Sequence, residues 1–269
     1  MVNYSILISA ILSAFFYESF GIATIISIVP LLLLPKPIIR QYWIWGFTYM
    51  AILHLFFIEL HTTSNILVAI GLWLIGSLFY SSYYALIGFV AKHTHQRFNQ
   101  YFLVIIPFIW AGFEWLKNSG SYANPLGNIG YSLSFYAKYI PIYSVIGPTG
   151  LTIAILIINA AIASIILTKQ KKIPITIIIA ILIGITTIEK SPSPSTKQLS
   201  VSVIQTSIPQ LTKINRSNWP EIKKTYLKHI QSAKNELIIL PESIIPTFIS
   251  NTPFYKTIET HASTHKQAI

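Results

Sequence analysis

The run Leu237-Ile238-Ile239-Leu240 ends in Pro241-Glu242-Ser243, which sets a carboxylate just past what reads as a short, fully apolar strand. That edge is where α/β proteins place their ligands. Glu242 is therefore the candidate catalytic residue, with an ordinary loop carboxylate as the alternative. Ser243 is poorly placed as a nucleophile beside it, because neighbours on an extended segment point to opposite sides. His261 and His265 share a helix face at i, i+4, but the intervening residues lack the glutamate of a zinc-protease motif and no third ligand is in view. His93 and His95 fall in a loop and are expected to be solvated. Cysteine is absent, and all eight acidic residues are glutamates, which removes thiol nucleophiles, disulfides, Cys-based zinc sites and Asp-containing triads from this chain. No phosphate-cradling Gly-rich loop and no G-x-S-x-G elbow occurs. Neither a metal nor a cofactor is expected.

The elements that must position Glu242 are legible on either side of it. Ser191-Pro192-Ser193-Pro194-Ser195 reads as a linker, residues 191–197. Gln198–Ile204 alternates Leu199, Val201 and Val203 against Ser200 and Ser202, the pattern of a strand with one apolar face. Ser217 is predicted to cap a helix with Pro220 in its first turn, along which Ile222, Tyr226, Ile230 and Ala233 recur at helical spacing. Strand, helix and buried strand together open an α/β layer over residues 198–269.

Before the linker the composition changes. Only 10% of the 269 residues are charged against 53% hydrophobic, with a mean hydropathy of +0.59. A soluble domain carries about 25% charged residues. The deficit lies in residues 1–190, which predict a helical membrane bundle of about seven spans. Candidate spans are Tyr4–Tyr17, Phe20–Leu34, Trp43–Leu60, Ile66–Val90, Tyr101–Leu116, Gly150–Leu167 and Ile173–Ile188, the first two short enough for a tight hairpin or one irregular span. The first stretch lacks a basic n-region and an A-x-A-like cleavage site, so it reads as a retained span and not as a signal peptide.

The net charge of +11 is spread over short loops and the tail, as topology signals are, which excludes a nucleic-acid partner. Lys36 and Arg40, then Lys92 and Arg97, then Lys169, Lys171 and Lys172 follow alternate spans. The positive-inside rule places these three loops in the cytoplasm and the tail on the far side of the membrane. Glu18, Glu59 and Glu114 then fall at outer span ends. Ionisable groups at membrane depth are functional candidates by default. The plainer expectation is that each reaches interfacial water, with Glu114 paired to Lys117 one turn on. His54, in mid-span, is expected to be neutral and hydrogen-bonded.

Three stretches carry a resemblance. They are Phe113-Glu114-Trp115-Leu116-Lys117 with Pro125 and Gly130-Tyr131-Ser132; Val203-Ile204-Gln205 with Ile208-Pro209-Gln210; and Leu240-Pro241-Glu242-Ser243 with Pro246. In order and separation they resemble bacterial apolipoprotein N-acyltransferase, an inner-membrane enzyme with a nitrilase-like domain. The fold this implies is an α-helical polytopic membrane bundle followed by the start of an α/β nitrilase-like (αββα) domain. The reaction it implies moves an acyl chain from a phospholipid to the N-terminal diacylglyceryl-cysteine of a lipoprotein, through a thioester on a cysteine. A glutamate serves as general base and a lysine stabilises the oxyanion. Glu242 matches that glutamate. Leu126 stands where the family has a tryptophan, and Thr206-Ser207 replace a more usual Gly-Asn.

The family's lysine, cysteine and final span come later than Ile269, so residues 198–269 are expected to form a truncated, incomplete nitrilase-like domain, inactive alone. The partners implied are a phospholipid acyl donor, a lipoprotein N-terminus, membrane lipid and a second polypeptide carrying the rest of the domain. The expected location is the bacterial inner membrane, multi-pass, with the C-terminal segment periplasmic. One alternative is a non-catalytic membrane protein, or a relic, that retains lipid or lipoprotein binding. A small transporter ranks last, since the charges sit at span ends and not at mid-membrane.

Overall fold

A computed structural model describes residues 4–15, 17, 21–168, 172–187, 199–242, 244–247 and 252–269. It divides the chain into two compact units, Met1–Ser191 and Pro192–Ile269. Glu18, Ser243 and the linker lie outside the described residues.

The first unit is helical, with α1 (Tyr4–Phe15), α2 (Thr24–Ser27), α3 (Val29–Leu32), α4 (Ile39–Leu53), α5 (Ile66–Arg97), α6 (Phe102–Lys117), α7 (Tyr143–Thr168) and α8 (Lys172–Thr187). Among the described residues, three helical stretches are long and apolar enough to cross a membrane: Ile39–Thr62, in which α4 runs on as 3₁₀ helix, Ile66–Arg97 and Tyr143–Thr168. Tyr4–Phe15 and Lys172–Gly184 are shorter apolar helices. Outward-facing side chains such as Leu67, Ile75, Phe89, Val104 and Phe108 are exposed, as a lipid-facing surface requires. The protein is a membrane protein.

Small residues let the helices approach. Tyr84 of α5 packs over Gly46 of α4, and Tyr42 of α4 packs over Gly88 of α5. Around this seam Trp45, Tyr49, Tyr84 and Trp110 interlock at ring separations of 4.8 to 6.2 Å and are almost wholly buried. Where a tight hairpin or one irregular span is expected, the described residues show α1 and, from Gly21 on, a broken helix. Between α2 and α3 the Ile28 N–H donates to Asn159 Oδ1 of α7 at 2.9 Å, while Asn159 Nδ2 donates to Thr24 O at 3.0 Å. A break in a membrane helix is tolerated only where its freed backbone groups find partners, and Asn159 supplies them.

In the second unit β1 (Val201–Val203) and β2 (Leu237–Ile239) pair in parallel, Val201 opposite Leu237 and Val203 opposite Ile239. Between them run α9 (Gln210–Ile214) and α10 (Trp219–Ser232), and after β2 comes α11 (Pro253–His265). A parallel bridge from Leu237 to Ala268 extends the pairing beyond β2. Ile222, Tyr226 and Ile230 are buried as their spacing predicts, together with Ile238, Phe254 and Ile258. Ser217 does not cap α10. Its own N–H donates to Asn215 Oδ1 at 3.1 Å, so the asparagine opens a 3₁₀ turn that leads into the helix. Both strands are shorter than the patterns that predicted them. The helices cover the Ile238 face of the sheet, whereas Leu199, Val201, Val203 and Ile239 on the other face are 41–72% exposed.

Candidate functional site

Glu242 stands three residues past the end of β2, in a bend, with its side chain exposed. It helps line a groove of about 470 Å³ whose walls include Leu240, Ile245, Tyr255 and Ile258. A solvated carboxylate at the mouth of an apolar groove can take a proton from a group docked there. His261 and His265 stack at 4.1 Å, and among the described residues no cluster of three metal-ligating side chains occurs. His93 is exposed and bonds the Phe89 carbonyl, while His95 is half-buried against the Phe102 ring.

A second carboxylate site lies within the helical unit. Glu114, at the end of α6, is only 4% exposed, which corrects its expected place in interfacial water. Its Oε1 accepts from Trp110 Nε1 at 3.1 Å and from the Ile129 N–H at 3.0 Å, and its Oε2 accepts from Thr152 Oγ1 at 2.8 Å. Three elements thus meet on one carboxylate: α6, α7 and the loop between them. Glu59 is exposed, as expected.

Lys117 is buried too. Its Nζ donates to Leu126 O at 2.8 Å and lies 6.0 Å from the Tyr84 ring centre, while its charge and that of Glu114 attract each other. The same loop is held at successive residues. Tyr84 Oη donates to Gly127 O, Tyr17 Oη to Asn128 O, and the Gly130 N–H to Thr152 Oγ1. Ser132 Oγ meets Thr24 Oγ1 at 2.8 Å. The loop therefore folds down into the helical unit and is not a free hairpin.

At its start the loop is fastened by His54, which is buried where α4 gives way to 3₁₀ helix. Asn124 Nδ2 lies 3.4 Å from His54 Nε2, and Ser77 Oγ lies 3.3 Å from Nδ1. Asn124 Oδ1 accepts from the Leu126 N–H, so its Nδ2 must be the donor toward the ring. Nε2 then accepts and Nδ1 carries the hydrogen, the neutral, bonded histidine that the sequence predicts.

Sequence reasoning singled out Glu114, Lys117 and His54 but not Thr152, Asn124, Asn128 or Asn159. Their bonds span as many as 135 residues of chain, in the case of Asn159 and Thr24, and no local spacing announces them. The Gly130-Tyr131-Ser132 triplet was the available signal, since its glycine and serine both contact the bundle.

No curated protein gives a significant match to the chain. The model of the apolipoprotein N-acyltransferase N-terminal domain matches residues 9–161, more than half of the chain. That stretch contains every residue of the network just described, from Tyr17 and Thr24 to Thr152 and Asn159. Through this domain, the chain belongs to the apolipoprotein N-acyltransferase family.

Proposed function

We propose that the chain forms the membrane domain and the general-base portion of an apolipoprotein N-acyltransferase. The reading rests on one joint observation: a family-matching membrane domain precedes an α/β unit that carries Glu242 past the carboxyl end of a parallel strand. The bundle comprises about seven spans in the bacterial inner membrane, residues 191–197 link the units, and residues 198–269 open a nitrilase-like domain on the periplasmic side. In the reaction, a thiolate attacks the ester carbonyl of a phospholipid, and the tetrahedral oxyanion collapses to a thioester with release of the lysophospholipid. The α-amino group of the lipoprotein's diacylglyceryl-cysteine then takes the acyl chain and frees the thiol. Glu242 takes the thiol proton and passes it to the leaving oxygen of the lysophospholipid, then takes the amine proton and passes it to the departing thiolate.

These 269 residues hold no cysteine, so the thiol of this step is supplied from outside them. The bare sheet face of Val201, Val203 and Ile239 supports a remainder of the domain packed over it, since an apolar face of that kind needs a cover. The test reconstitutes the chain in phospholipid vesicles with a diacylglyceryl-cysteine peptide, with and without a polypeptide that supplies the cysteine-bearing remainder of the domain. Mass spectrometry of the peptide is expected to show N-acylation only with both chains present, and its loss in Glu242→Gln. Acyl transfer by this chain alone, or full transfer by the glutamine variant, overturns the proposal.

A further inference from the structure

The end of the bundle opposite the Glu114 network carries a concavity of about 330 Å³, lined by Lys36, Pro37, Lys92, His95, Gln96 and Asn99. Its walls come from two parts of the chain. Lys36 and Pro37 precede α4, whereas Lys92, His95 and Gln96 belong to the last turns of α5 and Asn99 to the turn after it. Five of the six side chains carry N–H donors and none is a carboxylate. None of the eight glutamates belongs to either segment. Two ammonium groups brought to one pocket without a counter-charge repel each other, and an anion between them removes that cost.

Depth identifies the anion. The 32 residues of α5 extend about 48 Å. That exceeds the hydrocarbon core of about 30 Å, and the helix is apolar up to Val90. Lys92, His95 and Gln96 therefore emerge in the layer of lipid headgroups. Beside them Ile38, Phe98 and Tyr101 are exposed apolar or aromatic side chains suited to the boundary with acyl chains. A phosphate that arrives at this depth with an apolar anchor is a phospholipid.

We propose that this pocket binds the phosphate of an anionic phospholipid between Lys36 and Lys92, with His95, Gln96 and Asn99 as further donors. Bridging the segment before α4 to the end of α5, the lipid fastens one end of the bundle as the buried loop fastens the other. The proposal does not depend on the acyl-transfer reading, and its test involves no catalysis.

The full chain, purified in detergent and stripped of lipid, is titrated with phosphatidylglycerol or phosphatidylcholine and bound lipid is counted by native mass spectrometry. Wild-type protein is expected to retain phosphatidylglycerol at about tenfold lower concentration than phosphatidylcholine, the preference a phosphate held by two charges gives. Lys36→Gln and Lys92→Gln each weaken that preference and the double variant abolishes it. Lys36→Arg with Lys92→Arg preserves it, and so does Lys223→Gln with Lys224→Gln in the other unit. Equal retention of the two lipids by wild-type protein overturns the proposal, as does an unchanged preference in the folded double variant. Displacement of phosphatidylglycerol by an equal concentration of inorganic phosphate overturns it as well, since the site then takes the free ion. If the double variant elutes as aggregate, the two single variants decide.

Discussion

Three donors converge on the Glu114 carboxylate, and each loses its acceptor when the side chain is removed. Unsatisfied buried donors cost about 1–3 kcal/mol apiece. Glu114→Ala is therefore expected to destabilise the protein by about 3 kcal/mol or more, seen as a lowered thermal midpoint in detergent. Glu114→Gln keeps an acceptor for Trp110 and Ile129, and the Thr152 hydroxyl can rotate to accept from the new amide, so its expected cost is about 1 kcal/mol. Equal losses in the two variants would show that packing, and not hydrogen bonding, fixes this side chain. The sequence marked Glu114 as important and misjudged its surroundings. Seen along one helix, a glutamate at a span end faces water. Only the loop that returns through Ile129 and the helix that brings Thr152 enclose it, and neither is visible from residues near 114.

Helices were the legible part of the architecture, because runs of apolar residues bounded by Lys, Arg and polar turns leave the backbone no other way to satisfy itself in lipid. What the pattern could not reveal is how the α6–α7 connection packs. Gly130 makes that packing possible. A Cβ there would collide with the Pro148 carbonyl oxygen and sit 2.9 Å from Thr152 Oγ1. Gly130→Ala should therefore lift the loop. The expected loss is about 1–3 kcal/mol, accompanied by faster maleimide labelling of a cysteine placed at Leu126. The chain's lack of cysteine makes that reporter the sole reactive thiol. Unchanged labelling in the alanine variant would mean that the loop has room the structure does not show. The strands of the C-terminal unit were legible in type but not in exposure. Alternation identified the apolar face of Leu199, Val201 and Val203, yet alternation alone does not say whether anything covers such a face.

At the scale of the molecule, the two units are finished to different degrees. The helical unit closes around its own aromatic and polar interior, whereas the sheet of Pro192–Ile269 leaves Val203 72% exposed and Val201 41% exposed. Expressed by itself, Pro192–Ile269 is expected to give a broad, concentration-dependent melt by circular dichroism and to associate as it unfolds. A sharp, concentration-independent transition would show that its helices and short sheet suffice. The stack of Trp45, Tyr49, Tyr84 and Trp110 carries a consequence for the cell. An ion seeking a route along that seam would have to shed its hydration and part four interleaved rings, so the seam is an electrical insulator. Cells that accumulate this chain in quantity should therefore keep their membrane potential, which a voltage-sensitive dye can verify.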